Sequence, residues 1–194
     1  MPGMINHEKA FVKLFSQTAR YHHRFKVFED FISCSVIALE NRLHFSEVRE
    51  QKYLRIVGGY EKEDVTRMAQ LLAHVVNGLG EASGDFLGRV FMQLELGDKY
   101  RGQFFTPWDV ARMIFADVLR KAGWPPHRYL WVSATDIDPL AAGMAYIQLS
   151  LCGIAGEVVA GNTLVNERRR ILYTPGHYLG GWPVRLSSRH FQAA

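Results

Sequence analysis

Residues 129–135 form a short, almost uninterrupted run of apolar and β-branched side chains, and this run constrains the fold more than any other segment. Such a run is typical of a strand covered on both faces in a parallel sheet. Asp138-Pro139 then opens a helix, and residues 157–160 form a second short strand pattern. Strand, helix and strand joined by tight turns predict a βαβ unit, in which ligands bind at the carboxyl ends of the strands. Asp136 and Asn162 both fall at those ends.

The predicted helix of this unit lies in residues 139–156, which carry no charged side chain. A membrane span is the alternative, but Gln148, Ser150 and three glycines interrupt a run that is barely long enough and has no basic flank. A helix buried against a sheet explains the segment better. No membrane partner is therefore predicted.

The first half of the chain has the period of amphipathic helices. Three groups of residues follow the i, i+3, i+4, i+7 rule. They are Phe11, Leu14, Phe15 and Thr18; Phe28, Phe31, Ile32, Ser35 and Leu39; and Val65, Met68, Leu72, Val75 and Leu79. Gly58-Gly59 separates the second group from the third, Asn77-Gly78 and Gly80 are expected to end the third helix, and the segment Ser83-Gly84-Asp85 is expected to cap another. The sequence predicts a helical region over residues 1–97 and an α/β domain over 98–194.

Composition and charge narrow the class of protein. The net charge of +4 arises in the second half, because residues 1–97 carry 12 basic and 12 acidic side chains and residues 98–194 carry 11 and 7. This balance is compatible with DNA as a partner without proving it.

The N-terminus lacks a secretory pattern, so the cytoplasm is the expected compartment. Cys34 and Cys152 lie in apolar helical patterns, and His22-His23 point to different helix faces, so neither a disulfide nor a metal site is predicted.

Several polar residues are candidates for chemistry, each with a structural alternative. The carboxylate of Asp136 suits two neighbouring ribose hydroxyls, but Asp136 or Asp138 can instead cap the following helix. Ile137 can pack on an adenine face or in the core, and Asn162 can bind an adenine edge or simply form a turn. Arg168, Arg169 and Arg170 can grip phosphates or form a solvated surface turn. These alternatives stay open at this level.

Three ordered blocks resemble N6-adenine DNA methyltransferases, namely the modifying subunits of type I restriction systems and their shorter plasmid- and phage-borne relatives. The blocks are Gly102-Gln103-Phe104-Phe105-Thr106-Pro107, Asp136-Ile137-Asp138-Pro139-Leu140-Ala141-Ala142 and Gly161-Asn162-Thr163-Leu164. The similarity extends at least from residue 86 to 164. It implies a Rossmann-like fold, S-adenosylmethionine as cofactor, methyl transfer to adenine N6 in DNA, and a restriction-modification specificity partner or self-association.

The same resemblance assigns roles to individual residues. Phe105, Thr106 and Pro107 inherit the contact with the methionine end of the cofactor. By the same resemblance, Asp136 is expected to bind the ribose, Ile137 to pack on the adenine face and Asn162 to bind the adenine edge. The family often has Asp where this chain has Asn162, so that contact is expected to be weaker or reversed in its donor sense.

Two parts of the family pattern are missing from the sequence. Thr106 followed by Pro107 predicts a helix start, and that helix is expected to run to Gly123. In the family a strand with a glycine-rich loop follows this helix, but here only residues 123–128 separate it from the next strand, whereas a strand, loop and helix need roughly 25 residues. No Asn- or Asp-Pro-Pro-aromatic tetrapeptide occurs; Trp124-Pro125-Pro126-His127 is read as a loop. The domain is therefore expected to be truncated and impaired, with unknown catalytic residues. The alternatives are a non-catalytic protein that binds DNA or a restriction-modification partner, and a remnant without activity.

Overall fold

The computed structural model describes residues 5–82, 84–96 and 118–190. The chain divides into two compact units, residues 1–106 and 107–194. The first unit, as far as it is described, is helical, and the second combines helices with a three-stranded sheet. The protein is thus mixed α/β and mostly helical. The expected boundary at Gly97-Asp98 lies outside the described residues.

The helices of the first unit surround a core rich in phenylalanine. They are α1 (His7–Phe15), α2 (Arg24–Leu43), α3 (Glu47–Val57), α4 (Lys62–Glu81) and α5 (Phe86–Gln93). The ring of Phe11 lies edge-on to Phe31 at 5.5 Å and to Phe86 at 6.0 Å, and all three are at most 2% exposed. Each buried ring of this size stabilises the fold by roughly 2 kcal/mol. The three predicted amphipathic patterns lie on α1, α2 and α4, except that α1 ends at Phe15, before Thr18 of the first pattern.

The end of the fourth helix differs from the prediction. The expectation that Gly78 and Gly80 end the third predicted helix is wrong, because α4 continues through both glycines to Glu81. A Cβ on Gly78 would lie 2.4 Å from the ring of Phe86, so this glycine provides space for a packed phenylalanine. Asp85 does cap α5, since its Oδ1 accepts the N–H of Gly88 at 2.9 Å.

The second unit contains the predicted βαβ arrangement. Its elements are α6 (Pro126–Tyr129), β1 (Trp131–Asp136), α7 (Pro139–Leu151), β2 (Ala155–Asn162), a 3₁₀ turn (Thr163–Val165), β3 (Glu167–Tyr173), α8 (Pro175–Leu179) and α9 (Trp182–His190); residues 118–121 are also helical. The strand order is β1-β2-β3, with β1 parallel to β2 and β3 antiparallel to it. The sequence did not predict β3. The expected loop at Trp124 holds only to Pro125, because Pro126 begins a one-turn helix.

The uncharged segment after β1 forms α7, which packs against β1 and β2. Every side chain from Leu140 to Ser150 is buried, so the absence of charge follows from burial against the sheet. Among the described residues, no helix is long and apolar enough to cross a membrane. Cys34 and Cys152 are buried free thiols, and burial raises the pKa of Cys34 to about 12, so it packs as a small apolar residue.

Candidate functional site

Asp136 and Asn162 lie at the same edge of the sheet. Asp136 is the last residue of β1 and pairs in parallel register with Ala160 of β2. Asn162 ends β2 two residues further along, on the same face of the strand as Ala160. The two polar side chains therefore mark the carboxyl ends of adjacent parallel strands, where α/β sheets bind ligands.

The two aspartates after β1 have different roles. Asp138 caps α7, since its Oδ1 accepts the N–H of Leu140 at 2.9 Å. Oδ1 of Asp136 accepts the N–H of Asp138 at 2.8 Å and so fixes the turn between strand and helix. An ionised carboxylate has about four acceptor positions, and Asp136 is exposed, so this turn leaves acceptor capacity for a ligand.

The surroundings of Asp136 shift its acidity modestly. Partial desolvation raises the pKa of Asp136, backbone N–H groups of Asp138 and Ile137 oppose this, and the charge of Asp138 adds to the rise. The residue is nevertheless exposed, so water screens much of this effect. The exposed carboxylate oxygens of Asp136 are thus accessible to hydrogen-bond donors of a ligand.

Ile137 lies between these two acids and is not a core residue. Its side chain is 60% exposed. Its carbonyl oxygen accepts a hydrogen bond from Nη2 of Arg169 at 2.6 Å, and Nε of Arg169 lies 3.5 Å from Oε2 of Glu167. The start of β3 thus holds the turn that carries Ile137, and the isoleucine is left as an apolar surface beside Asp136.

The orientation of the Asn162 amide follows from its hydrogen bond. Asn162 accepts the N–H of Leu164 at 3.0 Å at the start of the 3₁₀ turn. Only the carbonyl Oδ1 can accept, so Nδ2 is the group left to a ligand. Asn162 at this position offers a hydrogen-bond donor, the opposite of what an aspartate would offer.

The three arginines lie in a strand, so their interpretation as a surface turn is wrong. Arg168 pairs with Gly161 and Arg170 with Ala160, while Arg169 is the extra residue of a β-bulge. Nη2 of Arg168 forms an ion pair with Oε1 of Glu157 at 2.7 Å. The guanidinium groups of Arg168 and Arg169 therefore have acidic partners inside the unit, and phosphate binding by the three arginines stays a prediction.

A buried polar cluster at the other end of the sheet was missed by the sequence reasoning. Trp131 donates its indole N–H to Nδ1 of His177 at 3.0 Å, and the His177 ring stacks on Tyr173 at 4.5 Å. Thr174 donates to the carbonyl of Ile154 at 2.7 Å and is fully buried. The available signal was Thr174-Pro175, a helix-start pattern directly after a β-branched and aromatic run.

The remaining predicted site residues, Phe105, Thr106 and Pro107, lie outside the described residues. Within the described ranges, no group of three or more His, Cys, Asp or Glu side chains is arranged to hold a metal ion. Comparison with protein-family models, curated proteins and solved structures found nothing significantly similar to this chain. The sequence blocks and the geometry of Asp136 and Asn162 are therefore the features that bear on function.

Proposed function

We propose that this chain binds S-adenosylmethionine at the carboxyl ends of β1 and β2, as a DNA adenine-N6 methyltransferase-like protein with impaired catalysis. The second unit is then a truncated Rossmann-like domain. One observation carries the proposal: Asp138 takes the capping role, so Asp136 remains available beside Asn162 at the end of two parallel strands.

The donors and acceptors at this edge suit an adenine nucleoside. Asp136 can accept hydrogen bonds from two neighbouring ribose hydroxyls, and the exposed Ile137 can pack on the base. Nδ2 of Asn162 can donate to a ring nitrogen of adenine. The methionine end of the cofactor is assigned to Phe105, Thr106 and Pro107 by resemblance alone, so the structural support concerns the nucleoside half.

The described residues bind and orient, and none is assigned as catalytic. Bound S-adenosylmethionine would supply an electrophilic methyl group on a positively charged sulfur. Adenine N6 is a weak nucleophile and must release a proton to an acceptor on the protein. The family's tetrapeptide would provide that acceptor, and it does not occur in this sequence. Low or absent transfer by these 194 residues is the expected consequence.

A non-catalytic protein derived from a methylase is the second candidate. The missing tetrapeptide and glycine-rich loop favour it, because a protein that only occupies DNA or a restriction-modification partner needs neither. Both candidate functions predict a nucleoside site or its remnant, but only the enzyme predicts methyl transfer. Ligand binding and transfer must therefore be measured separately.

Calorimetric titration with S-adenosylmethionine tests the cofactor site. We expect wild type to bind and Asp136→Asn to bind at least about tenfold more weakly, since a hydrogen bond to a charged group contributes about 1.5–3 kcal/mol. Adenosine and 2′-deoxyadenosine extend the test: wild type should prefer the ribose, and Asp136→Asn should lose most of that preference.

Glu63→Gln is the control for the loss of one negative charge, because Glu63 is exposed in the first turn of α4 and lies outside the proposed site. It should bind S-adenosylmethionine like wild type. Equal weakening in both variants, or no binding by wild type, would refute the site. Incorporation of labelled methyl groups into adenine-containing DNA then separates the candidates. Transfer that Asp136→Ala abolishes supports the enzyme, and cofactor binding without transfer supports the non-catalytic protein.

A further inference from the structure

A basic pocket lies in the first unit, between the end of α1 and the start of α2. Its volume is about 210 Å³. The floor is apolar, formed by Phe15, Ala19 and Val27, each at most 2% exposed. Arg20 and Arg24 also line the pocket, together with Ser16, Thr18 and His22. This volume is below that of typical pockets for drug-sized ligands and suits a small group.

The two pocket arginines differ from other basic side chains nearby in having no acidic partner among the described residues. Lys26, two residues further along α2 than Arg24, is paired with Asp30 at 2.6 Å. Arg67 of α4 is paired with Asp64 at 2.5 Å. Arg20 forms no ion pair within the described ranges, and the guanidinium of Arg24 lies 6.0 Å from the centre of the Phe15 ring. Asp30 and Asp64 therefore pair with other cations, and neither pocket arginine has an acidic partner among the described residues.

The hydroxyl and imidazole groups of the lining are held by the protein. Ser16 Oγ donates to the carbonyl of Val12 at 2.8 Å, and Thr18 Oγ1 donates to that of Leu14 at 2.9 Å. His22 Nε2 must donate to the carbonyl of Gly59, 2.9 Å away, because a carbonyl only accepts. The Ser16 and Thr18 hydroxyls thus present their oxygens as acceptors, and the two guanidinium groups are the donors with most capacity.

The backbone beneath the pocket is strained. Ala19 is buried and has a φ of 46°, in the left-handed region that costs a residue with a Cβ about 1 kcal/mol. Strained residues are found preferentially at ligand sites, where the surrounding structure holds them. The turn that bears Arg20 is thus fixed at an energetic cost, which is consistent with a binding role.

We propose that this pocket binds a phosphate group through Arg20 and Arg24. Guanidinium groups recognise tetrahedral oxyanions by paired, charge-assisted hydrogen bonds, and the phosphate would neutralise the two charges. The N-terminus of α2, which begins at Arg24 without a side-chain cap, adds positive potential but does not define the pocket. The phosphate can belong to a free phosphate compound or to a nucleic-acid backbone. This site is independent of Asp136 and of the proposed cofactor.

Calorimetric titration of the full chain with inorganic phosphate, at constant ionic strength set with chloride, tests the site. Wild type should show saturable binding. The double variant Arg20→Gln/Arg24→Gln should bind at least about tenfold more weakly, since two charge-assisted donors are lost. Arg55→Gln is the matched control: Arg55 is exposed on α3, lies outside the pocket and has no acidic partner among the described residues. It should bind like wild type.

Two further variants protect the test against misfolding. Arg24→Lys keeps the charge near Phe15 and should retain more affinity than Arg24→Gln, and Arg20→Gln alone removes an exposed side chain. A fluorescently labelled DNA duplex, titrated in parallel, identifies the source. If the double variant binds DNA more weakly and Arg55→Gln does not, the pocket binds backbone phosphate. If the double variant loses phosphate binding but binds DNA like wild type, the pocket binds a free phosphate compound. The proposal is overturned if the double variant matches wild type with both ligands, or if Arg55→Gln is weakened as much as the double variant.

Discussion

Trp131 donates its indole N–H to Nδ1 of His177 at 3.0 Å, and this hydrogen bond joins β1 to α8. Indole nitrogen only donates, so Nδ1 of His177 is unprotonated and the neutral ring carries its proton on Nε2. Burial lowers the pKa of His177, although the charge of Glu157 partly opposes this. The second unit therefore contains a neutral buried histidine whose acceptor depends on a single tryptophan.

Replacing that tryptophan should destabilise the second unit. Trp131→Phe removes the donor, so Nδ1 of His177 is left without a hydrogen-bond partner. Because His177 is only 5% exposed, the free energy of unfolding should fall by about 2 kcal/mol. All four tryptophans of the chain lie in residues 107–194, so fluorescence during urea unfolding reports on this unit alone. Trp124→Phe is the control, since Trp124 is 52% exposed, and it should change stability by less than about 0.5 kcal/mol. Equal effects of the two replacements would contradict the role of the hydrogen bond.

A second pair of ring nitrogens makes the first unit sensitive to pH. Nδ1 of His7 lies 3.0 Å from Nδ1 of His74, so one ring must donate and the other accept, and Nε2 of His7 lies 3.4 Å from Oε1 of Glu81. Burial and the neighbouring His7 lower the pKa of His74. The unfolded chain therefore binds a proton at His74 more readily than the folded chain. The contribution of neutral His74 to the free energy of unfolding is complete above the unfolded pKa of about 6.5, and it is lost as the pH falls below that value.

We accordingly expect the helical signal of the first unit to unfold at lower urea concentration at pH 5.5 than at pH 7.5. Far-UV circular dichroism measures this, with tryptophan fluorescence identifying the part due to the second unit. His74→Gln cannot gain the proton, so its decrease between the two pH values should be smaller. The same decrease in both proteins would show that other groups cause it.

Two glycines on α4 should respond oppositely to the same substitution. A Cβ on Gly78 would lie 2.4 Å from the Phe86 ring, which is 2% exposed and would have to shift within a packed core, so Gly78→Ala should cost about 1–3 kcal/mol. A Cβ on Gly80 meets no atom within 4 Å among the described residues, and alanine is the better helix former by about 0.8–1.0 kcal/mol, so Gly80→Ala should stabilise. Urea unfolding followed at 222 nm measures both changes. Stabilisation by both variants would mean that Phe86 does not require the glycine.

These glycines also show why part of the fold was not predictable. A glycine reads as a helix end from sequence, but its effect depends on what lies opposite, and Phe86 is separated from Gly78 by a turn. The βαβ unit was predictable because its apolar runs and its Asp138-Pro139 helix start are local signals. β3 was not, because Glu167 and the three arginines resemble a solvated turn, and their strand conformation depends on pairing with β2.

In the candidate site, too, local sequence signals predicted some features, and others depend on contacts between distant residues. Sequence spacing placed Asp136 and Asn162 at strand ends, where they lie. Spacing could not decide between Asp136 and Asp138 as helix cap, since two acids only two residues apart can both reach backbone N–H groups. The hydrogen bond from Leu140 to Asp138 decides it. The contact of Arg169 with Ile137 joins residues far apart in the chain and has no local signal.

The ion pair between Arg168 and Glu157 makes it possible to separate a structural role of this arginine from DNA binding. The Glu157 carboxylate, 12% exposed, accepts from Arg168 at 2.7 Å and from Ser133 Oγ at 3.0 Å. Arg168→Gln leaves one charge poorly compensated; because the arginine itself is 46% exposed, we expect a loss of only about 1 kcal/mol by tryptophan fluorescence. The double variant Glu157→Gln/Arg168→Gln removes both charges and should recover part of the lost stability.

DNA binding provides the second measurement. If Arg168 pairs only with Glu157, DNA affinity and its salt dependence in Arg168→Gln should stay as in wild type. If Arg168 instead contacts a phosphate, Arg168→Gln should weaken DNA binding, lower the salt slope by about one, and remain weak in the double variant.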